Sequence, residues 1–480
     1  MVVSLTFANS PKPFGAPNTS TNLDRSLRTA RMGGLFALAL LAATSLSPGS
    51  ARAAERDAVR DWNANAVSAL INANTAVTPG AQFSPTVGII HLAIVQGAVY
   101  DAVNAIKGGH DPYLERIVFA PTSASKGAAA ATAAHHVLIA LIDQAPVTAT
   151  LTLDVKATIK ARLDAQYASS LAQIPNGLAK SHGVNIGAEA AAAMLANRVG
   201  DGRFGAPGFP VSDLPGKWRP LSALPSANDP NGWVRSVRPF FLPSSEFFHS
   251  AGPSALTSAQ YTTEFNEVKA LGRATDSTRT EAQTSLAHWS AGHPVPMFFA
   301  AMRQVSVSKN LTISQDARFF AKTSMTTADT IINCFAEKAH WSFWRPTTAI
   351  RLADTDGNPD TAPDAEWTSL LPVPPYGDEP SGANCFTSAM MNSAKAFFGS
   401  DAAEFDMVSP GLGPGTGSTR HYSSFTAVIP DMIEARILGG LHFRKADVSG
   451  AALGQTIANY VDANFFNCRA PGQCKQEERE

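Results

Sequence analysis

Cysteine is scarce in this chain: there are four in 480 residues. No two of them form a C-x-x-C pair or a zinc-ligand spacing, which excludes a zinc ribbon or a thioredoxin-type redox centre. An excess of either charge is also missing, since 38 Lys and Arg stand against 39 Asp and Glu, for a net charge of −1. Without a basic stripe, nucleic acid is excluded as a partner. No apolar run after Leu46 is long enough to span a bilayer. No internal repeat is present, and the one biased stretch is an alanine-rich helix. An apolar content of 45% excludes a disordered chain.

What is present begins with an export pattern. Arg25, Arg28 and Arg31 precede the apolar run Gly33 to Leu46, and Ala51-Arg52-Ala53 matches a small-x-small cleavage site. Residues 1–53 are therefore expected to be a signal peptide, and the mature protein secreted or periplasmic. The arginines are not adjacent, so a twin-arginine signal is not supported. In an oxidising compartment Cys468 and Cys474, around Pro471-Gly472, suit a small-loop disulfide. Cys334 and Cys385 sit in apolar helical patterns and read as buried thiols.

Apolar residues recur at helical spacing over 57–72, 87–106, 127–143, 151–175 and 182–199. Lys107-Gly108-Gly109 and Gly200-Asp201-Gly202 are glycine stops. Residues 203–255 are dense in proline, glycine and aromatics and read as a long irregular crossover. Helical spacing resumes over 257–271, 277–291, 296–307, 313–340, 383–398, 426–441 and 447–464. A proline-rich connector occupies 357–382. The expected fold is all-α: residues 54–255 form an N-terminal helical part with the crossover, and 256–480 a C-terminal helical part.

The chemistry-bearing residues lie in the second part. Lys338 and Arg345 stand seven apart in a run that also holds Trp341, Phe343 and Trp344. Pro346 disfavours helix at Arg345, so the helix should end just before it and project Arg345 into a cleft. Pro380-Ser381-Gly382 precedes a helix and offers a hydroxyl and backbone N–H groups at its positive end, where anions bind. Arg436 and His442 are roughly 600° of helix turn apart, about 120° in projection. Gly439-Gly440 would let the helix end and re-aim the imidazole, and Asp447 is placed to fix its tautomer. Taken singly, these are a snorkelling pair, an ordinary N-cap and a satisfied histidine. Together they are three cations, a hydroxyl, a glycine amide and an imidazole, which is a site for a tetrahedral oxyanion.

That order of Lys, six residues, Arg-Pro, then Pro-Ser-Gly, then Arg, five residues, His resembles the vanadium-dependent haloperoxidase and type 2 phosphatidic acid phosphatase superfamily, and within it the bacterial secreted haloperoxidase-like branch. Ala328-Asp329, Phe343-Trp344-Arg345-Pro346 and Gly439-Gly440-Leu441-His442-Phe443-Arg444 add to the likeness. The resemblance implies helical bundles and vanadate as cofactor. Lys338, Arg345, Ser381, Gly382 and Arg436 would bind its oxygens, and His442 would be the metal ligand. Lys338 would polarise peroxide for attack by halide, with hydrogen peroxide, halide and a small organic molecule as partners. With phosphate in place of vanadate, the same residues imply a phosphoric monoester hydrolase with His442 as nucleophile. A third reading is a non-halogenating, oxyanion-binding member.

The chain departs from that family at one telling place. Where a histidine usually follows Pro-Ser-Gly, it has Ala383 and then Asn384, so the usual general acid/base is missing. Ala435 precedes Arg436 where serine is common, and Asp447 is one residue further from His442 than in many members. His340, His421, Asp378 and Glu379 are the candidates to take over proton transfer, and Tyr376 and Trp341 to wall the pocket. The sequence leaves the oligomeric state, the organic substrate and the halide open.

Overall fold

The structure, a computed structural model, describes residues 48–72, 80–114, 120–222, 228–409 and 418–469, with side chains from Asp57. Most of the expected export signal, residues 1–47, lies outside them, as does Cys474. Cys468 is disulfide-bonded, whereas Cys334 and Cys385 are free and buried, as expected.

The expected all-α class holds. In chain order the helices are α1 (Pro48–Ile71), α2 (Pro85–Lys107), α3 (Lys126–Gln144), α4 (Leu153–Ala172), α5 (Leu178–Asn197), α6 (Ala259–Leu271), α7 (Glu281–Trp289), α8 (Pro294–Ser308), α9 (Ile313–Trp341), α10 (Pro346–Arg351), α11 (Gly382–Phe398), α12 (Val428–Leu438) and α13 (Arg444–Asn464). Among the described residues the only strands are β1 (Ala402–Val408) and β2 (Thr419–Ser424), an antiparallel hairpin that the sequence reading did not foresee. Along β1 the residues alternate, with Ala403, Phe405 and Met407 inward, as a half-buried strand requires. The described residues of 203–255 are irregular apart from a short 3₁₀ turn, Gly232–Ser236.

Against the expectation that no run after Leu46 is long enough, helix α2 is long and apolar enough by length and composition to cross a membrane, yet it is buried throughout its apolar window. It is the core helix of the N-terminal part and packs on α9, α3 and α5. The alanine surface of α3 lets α5 approach closely: a Cβ at Gly183 or Gly187 would collide with the backbone of Ser125 or Ala129.

Helix α9 starts on a capping box, Thr312 with Gln315, and runs unbroken. Three of its polar residues sit four apart, so they share one stripe. Asp329 accepts the backbone N–H groups of Phe240 (2.6 Å), Phe241 (2.7 Å) and Leu242 (3.0 Å). Asn333 donates to the carbonyls of Ser245 (2.7 Å) and Phe248 (2.9 Å). Glu337 accepts from the Ser250 N–H (2.7 Å) and lies 2.8 Å from His249 Nδ1. The crossover is irregular in φ/ψ, but six of its backbone groups between Phe240 and Ser250 are satisfied by this stripe, which offsets the cost of burying them. Further back, Trp218 N–H donates to the Ser342 carbonyl (2.7 Å) and Trp344 N–H to that of Gly216 (3.0 Å), so the crossover also pins the segment leading to Arg345.

Candidate oxyanion site

Helix α9 ends as the Pro346 argument requires. Ser342 adopts a left-handed conformation (φ 45°), and Arg345 is the extended N-cap of α10, with Pro346 at its first position. Lys338, in the last turn of α9, is buried and donates from Nζ to the carbonyls of Gly377 and Asp378, both at 2.9 Å. Burial, with Arg345 close by, lowers its ammonium to about 8. Arg345 is buried too. Its Nε donates to the Tyr376 carbonyl (2.8 Å) and its Nη1 to that of Leu441 (2.8 Å). Both cations lie over the Tyr376 ring, at 5.2 and 5.1 Å from its centroid, an attraction that desolvation strengthens.

Gly439 and Gly440 re-aim His442, as expected. Gly440 has φ 76°, and a Cβ there would strike the carbonyl of Gly272. The imidazole is buried. Its Nε2 is 3.0 Å from Arg345 Nη1 and its Nδ1 is 2.8 Å from Asp378 Oδ1. Burial first, then the cations Arg345, Lys338 and Arg436, push its pKa well down, so the ring is neutral. The expected tautomer partner, Asp447, is elsewhere. It accepts from Asn384 Nδ2 (2.8 Å) and from the Ser381 hydroxyl, and burial raises its carboxyl to about 8. Asp447 occupies the first turn of α13, facing the start of α11, whereas Asp378 reaches His442 from the connector. Burial also raises Asp378 well above the carboxylate range. The signal for Asp378 was its place two residues before Pro380-Ser381, but linear spacing did not say which nitrogen it would meet.

Ser381 is the N-cap of α11, and its side chain makes no capping bond. Gly382 is the first helical residue, and Lys338 Cε would be 3.8 Å from a Cβ built on it. Helix α13 closes on this end of α11 through two glycines. Gly450 is so near Ser381 that a Cβ would meet its carbonyl oxygen at 2.5 Å, and Gly454 would meet that of Cys385 at 2.7 Å. The Glu379-Pro380 bond is cis. Glu379 is buried, and burial raises its carboxyl to about 7.

Lys338, Arg345, Ser381, Gly382, Arg436 and His442 thus come from four separate segments and meet around the start of α11. The arrangement fits an oxyanion such as vanadate, because buried donors there lack partners within the protein. Arg345 Nη2 and Arg436 Nε are both in this state, and an unpaired buried donor is costly unless a ligand answers it. The four N–H groups at a helix start are likewise unmatched within the helix. Among the described residues no cluster of three or more His, Cys, Asp or Glu forms a cation site; the donor set is one for an anion.

A cavity of about 320 Å³ opens onto Gly382, Ala383, Arg436 and His442. Its other walls are largely apolar and come from α2, α8, α9, α11, α12 and the connector, with Thr86, Thr387 and the turn before α8 that carries Ser290 and His293 adding polar groups. Tyr376 lines it, as expected. Trp341 does not: its indole N–H is turned to the crossover, donating to Ser250 Oγ at 3.0 Å. Of the candidates for proton transfer, Asp378 touches His442. His340 is exposed beside His249, and His421 is exposed on the hairpin between Glu404 and Asp406. No spacing in the chain signals that Met297, Phe298, Phe386 and Met432 share one wall.

Residues 318–468 match the family model of the VCPO second helical-bundle domain. No curated protein matches the chain in sequence. Among solved structures, one described as the first bacterial vanadium-dependent iodoperoxidase superposes with a TM-score of 0.65 at 21% identity, over 86% of this chain and 97% of that one. The apo form of a bacterial vanadium-dependent chloroperoxidase gives 0.62 at 17% identity, over 83% of this chain and 95% of that one. The holo form gives 0.62 at 16%, over 87% and 96%. At these identities the structural likeness is one of fold.

Proposed function

We propose that the chain is a vanadate-binding, haloperoxidase-like member of the vanadium-dependent haloperoxidase and type 2 phosphatidic acid phosphatase superfamily that oxidises halide with hydrogen peroxide, a reading supported by the family-model match over residues 318–468 and by the likeness of fold. The observation that carries this reading is the pair of buried guanidinium N–H groups, on Arg345 and Arg436, that have no partner in the protein. Lys338, Arg345 and Arg436 supply the positive charge, the Gly382 amide and, once it turns from Asp447, the Ser381 hydroxyl supply neutral donors, and His442 is the ligand. When bound, vanadate supplies a Lewis acid that activates peroxide toward halide.

The chain's own contribution is a dry, preorganised cradle. Burial keeps His442 neutral, the form with a lone pair free to bind a metal. Arg345 Nη1, which can only donate, meets Nε2 at 3.0 Å, so Nε2 keeps the lone pair for the ligand and Nδ1, beside Asp378, carries the hydrogen. With Ala383 in place of a histidine, the proton-holding group nearest His442 is the Asp378 carboxyl, which burial favours in its neutral form. We extend the proposal to an exported protein, on the pattern of residues 1–53.

A second reading, phosphoric monoester hydrolysis with His442 as nucleophile, is favoured by the same buried, neutral imidazole. One experiment separates them. Orthovanadate is titrated calorimetrically into wild type and His442→Ala, then iodide and bromide oxidation and p-nitrophenyl phosphate hydrolysis are assayed. Tight binding lost in the variant, with peroxide-dependent halide oxidation, supports the first reading. Phosphate release that vanadate inhibits and peroxide does not affect supports the second. Failure of wild type to bind vanadate refutes both.

A further inference from the structure

A second pocket, of about 180 Å³, lies between the crossover, α10 and the connector. Pro374 lines both this pocket and the larger cavity, whereas Arg345 lines this one. Three polar atoms of its lining residues are buried and find no partner within the protein: Arg219 Nε, Arg345 Nη2 and Thr348 Oγ1. The Arg345 group has a use in the anion cradle; the other two serve no site described so far. Thr348 is 5% exposed and stands in α10, two residues after Pro346. Arg219 follows Trp218, whose backbone N–H is tied to the Ser342 carbonyl at 2.7 Å, so this wall is held in place. Arg219 Nη2 donates to the Leu214 carbonyl (3.0 Å), and its Nη1 lies 3.6 Å from the exposed Asp213, a pair that solvent weakens. Its Nε is left for another acceptor.

The lining holds two arginines and no acidic residue, which suits an anion. The rest of it is apolar: Trp218, Leu221, Val373 and the prolines around Arg219 and Tyr376. A phosphate dianion would lose water against those walls and gain nothing from them. A carboxylate on an apolar body fits both halves, with its two oxygens on the guanidinium groups and its carbons on Trp218 and the prolines. A cavity of about 150 Å³ holds benzene, so this volume suits a body of about five carbons. We propose that the pocket is a second anion site, for a small organic carboxylate, with Arg219, Arg345 and Thr348 as its donors. The pocket and its unpartnered groups carry this independently of what the cradle binds. Arg345 then serves two anions. Negative charges across one guanidinium repel, so a carboxylate in the pocket should weaken an oxyanion in the cradle, and the oxyanion should weaken the carboxylate by the same factor.

The test is equilibrium dialysis of the full chain with radiolabelled valerate, with and without orthovanadate. Wild type is compared with Arg219→Gln and Thr348→Val, and circular dichroism melts check folding. The expected result is saturable valerate binding by wild type, weakened about tenfold or more in Arg219→Gln and about fivefold in Thr348→Val. Vanadate affinity without valerate should stay within threefold in both variants, since neither residue belongs to the cradle. Absence of saturable valerate binding by wild type overturns the proposal, and so does undiminished binding in both folded variants. Valerate and vanadate binding with no effect on each other overturns the sharing of Arg345. If valerate binds in the expected pattern and vanadate does not, the oxyanion reading fails and the carboxylate site stands. Vanadate binding without valerate binding gives the reverse.

Discussion

Gly450→Ala is a one-carbon change that should act on the anion cradle through backbone alone. The added Cβ would lie 2.5 Å from the Ser381 carbonyl oxygen and 3.2 Å from its nitrogen. Ordinary contact begins at 3.4 Å, so the helices must part by 3.4 − 2.5 = 0.9 Å or the Ser381 peptide must move by that much. The obstacle is backbone on both counts, and no flexible side chain can yield. In an open helix interior the same substitution would stabilise by about 1 kcal/mol. Overpacking costs about 1–3 kcal/mol, so the net change is a loss of up to about 2 kcal/mol. Function should suffer more. Ser381 N–H is tied to the Ala446 carbonyl at 2.8 Å, and its carbonyl accepts from Cys385 N–H at 2.9 Å. A displaced Ser381 therefore drags the start of α11 with it. A shift of this size in a positioned group costs on the order of 10²-fold. Urea unfolding gives the stability change and vanadate calorimetry the affinity. Gly454→Ala is the control: it overpacks Cys385 and Ala389, one turn further from the cradle. It should lose similar stability but less than fivefold in affinity. The reasoning fails if Gly450→Ala leaves both quantities unchanged, or if Gly454→Ala loses as much affinity.

Three further outcomes are expected. Asp329→Ala strands three buried N–H groups, each worth about 1–3 kcal/mol, while relieving a carboxylate that burial has raised to about 6. A net loss of about 2–4 kcal/mol in urea unfolding is expected, and a loss under 1 kcal/mol contradicts the role given to it. Asp447 and Glu379 are raised to about 8 and about 7. Between about pH 4 and those values the folded protein keeps protons that the unfolded chain has released; His91, His110, His293 and His442, lowered by burial, act the other way only below about pH 6.5, so stability in the absence of vanadate should fall as pH rises from about 6.5 to 8. Thermal melts across that range should show the decline, and Asp447→Asn should flatten it; a rising trend would refute the assignment. Lys338→Met removes a buried cation while keeping its length. It should weaken vanadate at least tenfold in calorimetry with the melting temperature held or raised, and unchanged affinity would exclude Lys338 from the cradle.

The helices were legible where periodicity was long. α2, α3 and α9 were expected within a few residues, because their apolar faces run for five or more turns. Lys338, Arg345, Ser381, Gly382, Arg436 and His442 were legible as a set because each motif carries its own local geometry: a proline after Arg345, a helix start at Ser381, two glycines before His442. The partners of those residues were not. Asp447 and Asp378 are both aspartates near the motifs, and only the fold decides that Asp378 meets His442 while Asp447 meets Ser381 and Asn384. α10 was missed because six residues are too few to show a period. The β1 hairpin was missed although Ala403, Phe405 and Met407 do alternate, since a lone strand pair in a helical chain has no neighbours to reinforce the signal. The cavity was invisible because its wall draws on five helices distant in sequence.

The stripe on α9 has a consequence for how the gene can vary. Asp329, Asn333 and Glu337 reach the crossover at Phe240, Phe241, Leu242, Ser245, Phe248 and Ser250, and at each of these six the helix side chain grips a main-chain N–H or carbonyl. Main-chain groups are common to every residue, proline's missing N–H aside. Substitutions along 240–250 therefore leave these attachments intact, whereas a change at Asp329 removes three at once, at Asn333 two and at Glu337 one. In a saturation-mutagenesis library selected for folding, the three helix residues should tolerate almost nothing. Opposite them, Ser245 and Ser250 should accept most replacements, with proline the exception at position 250.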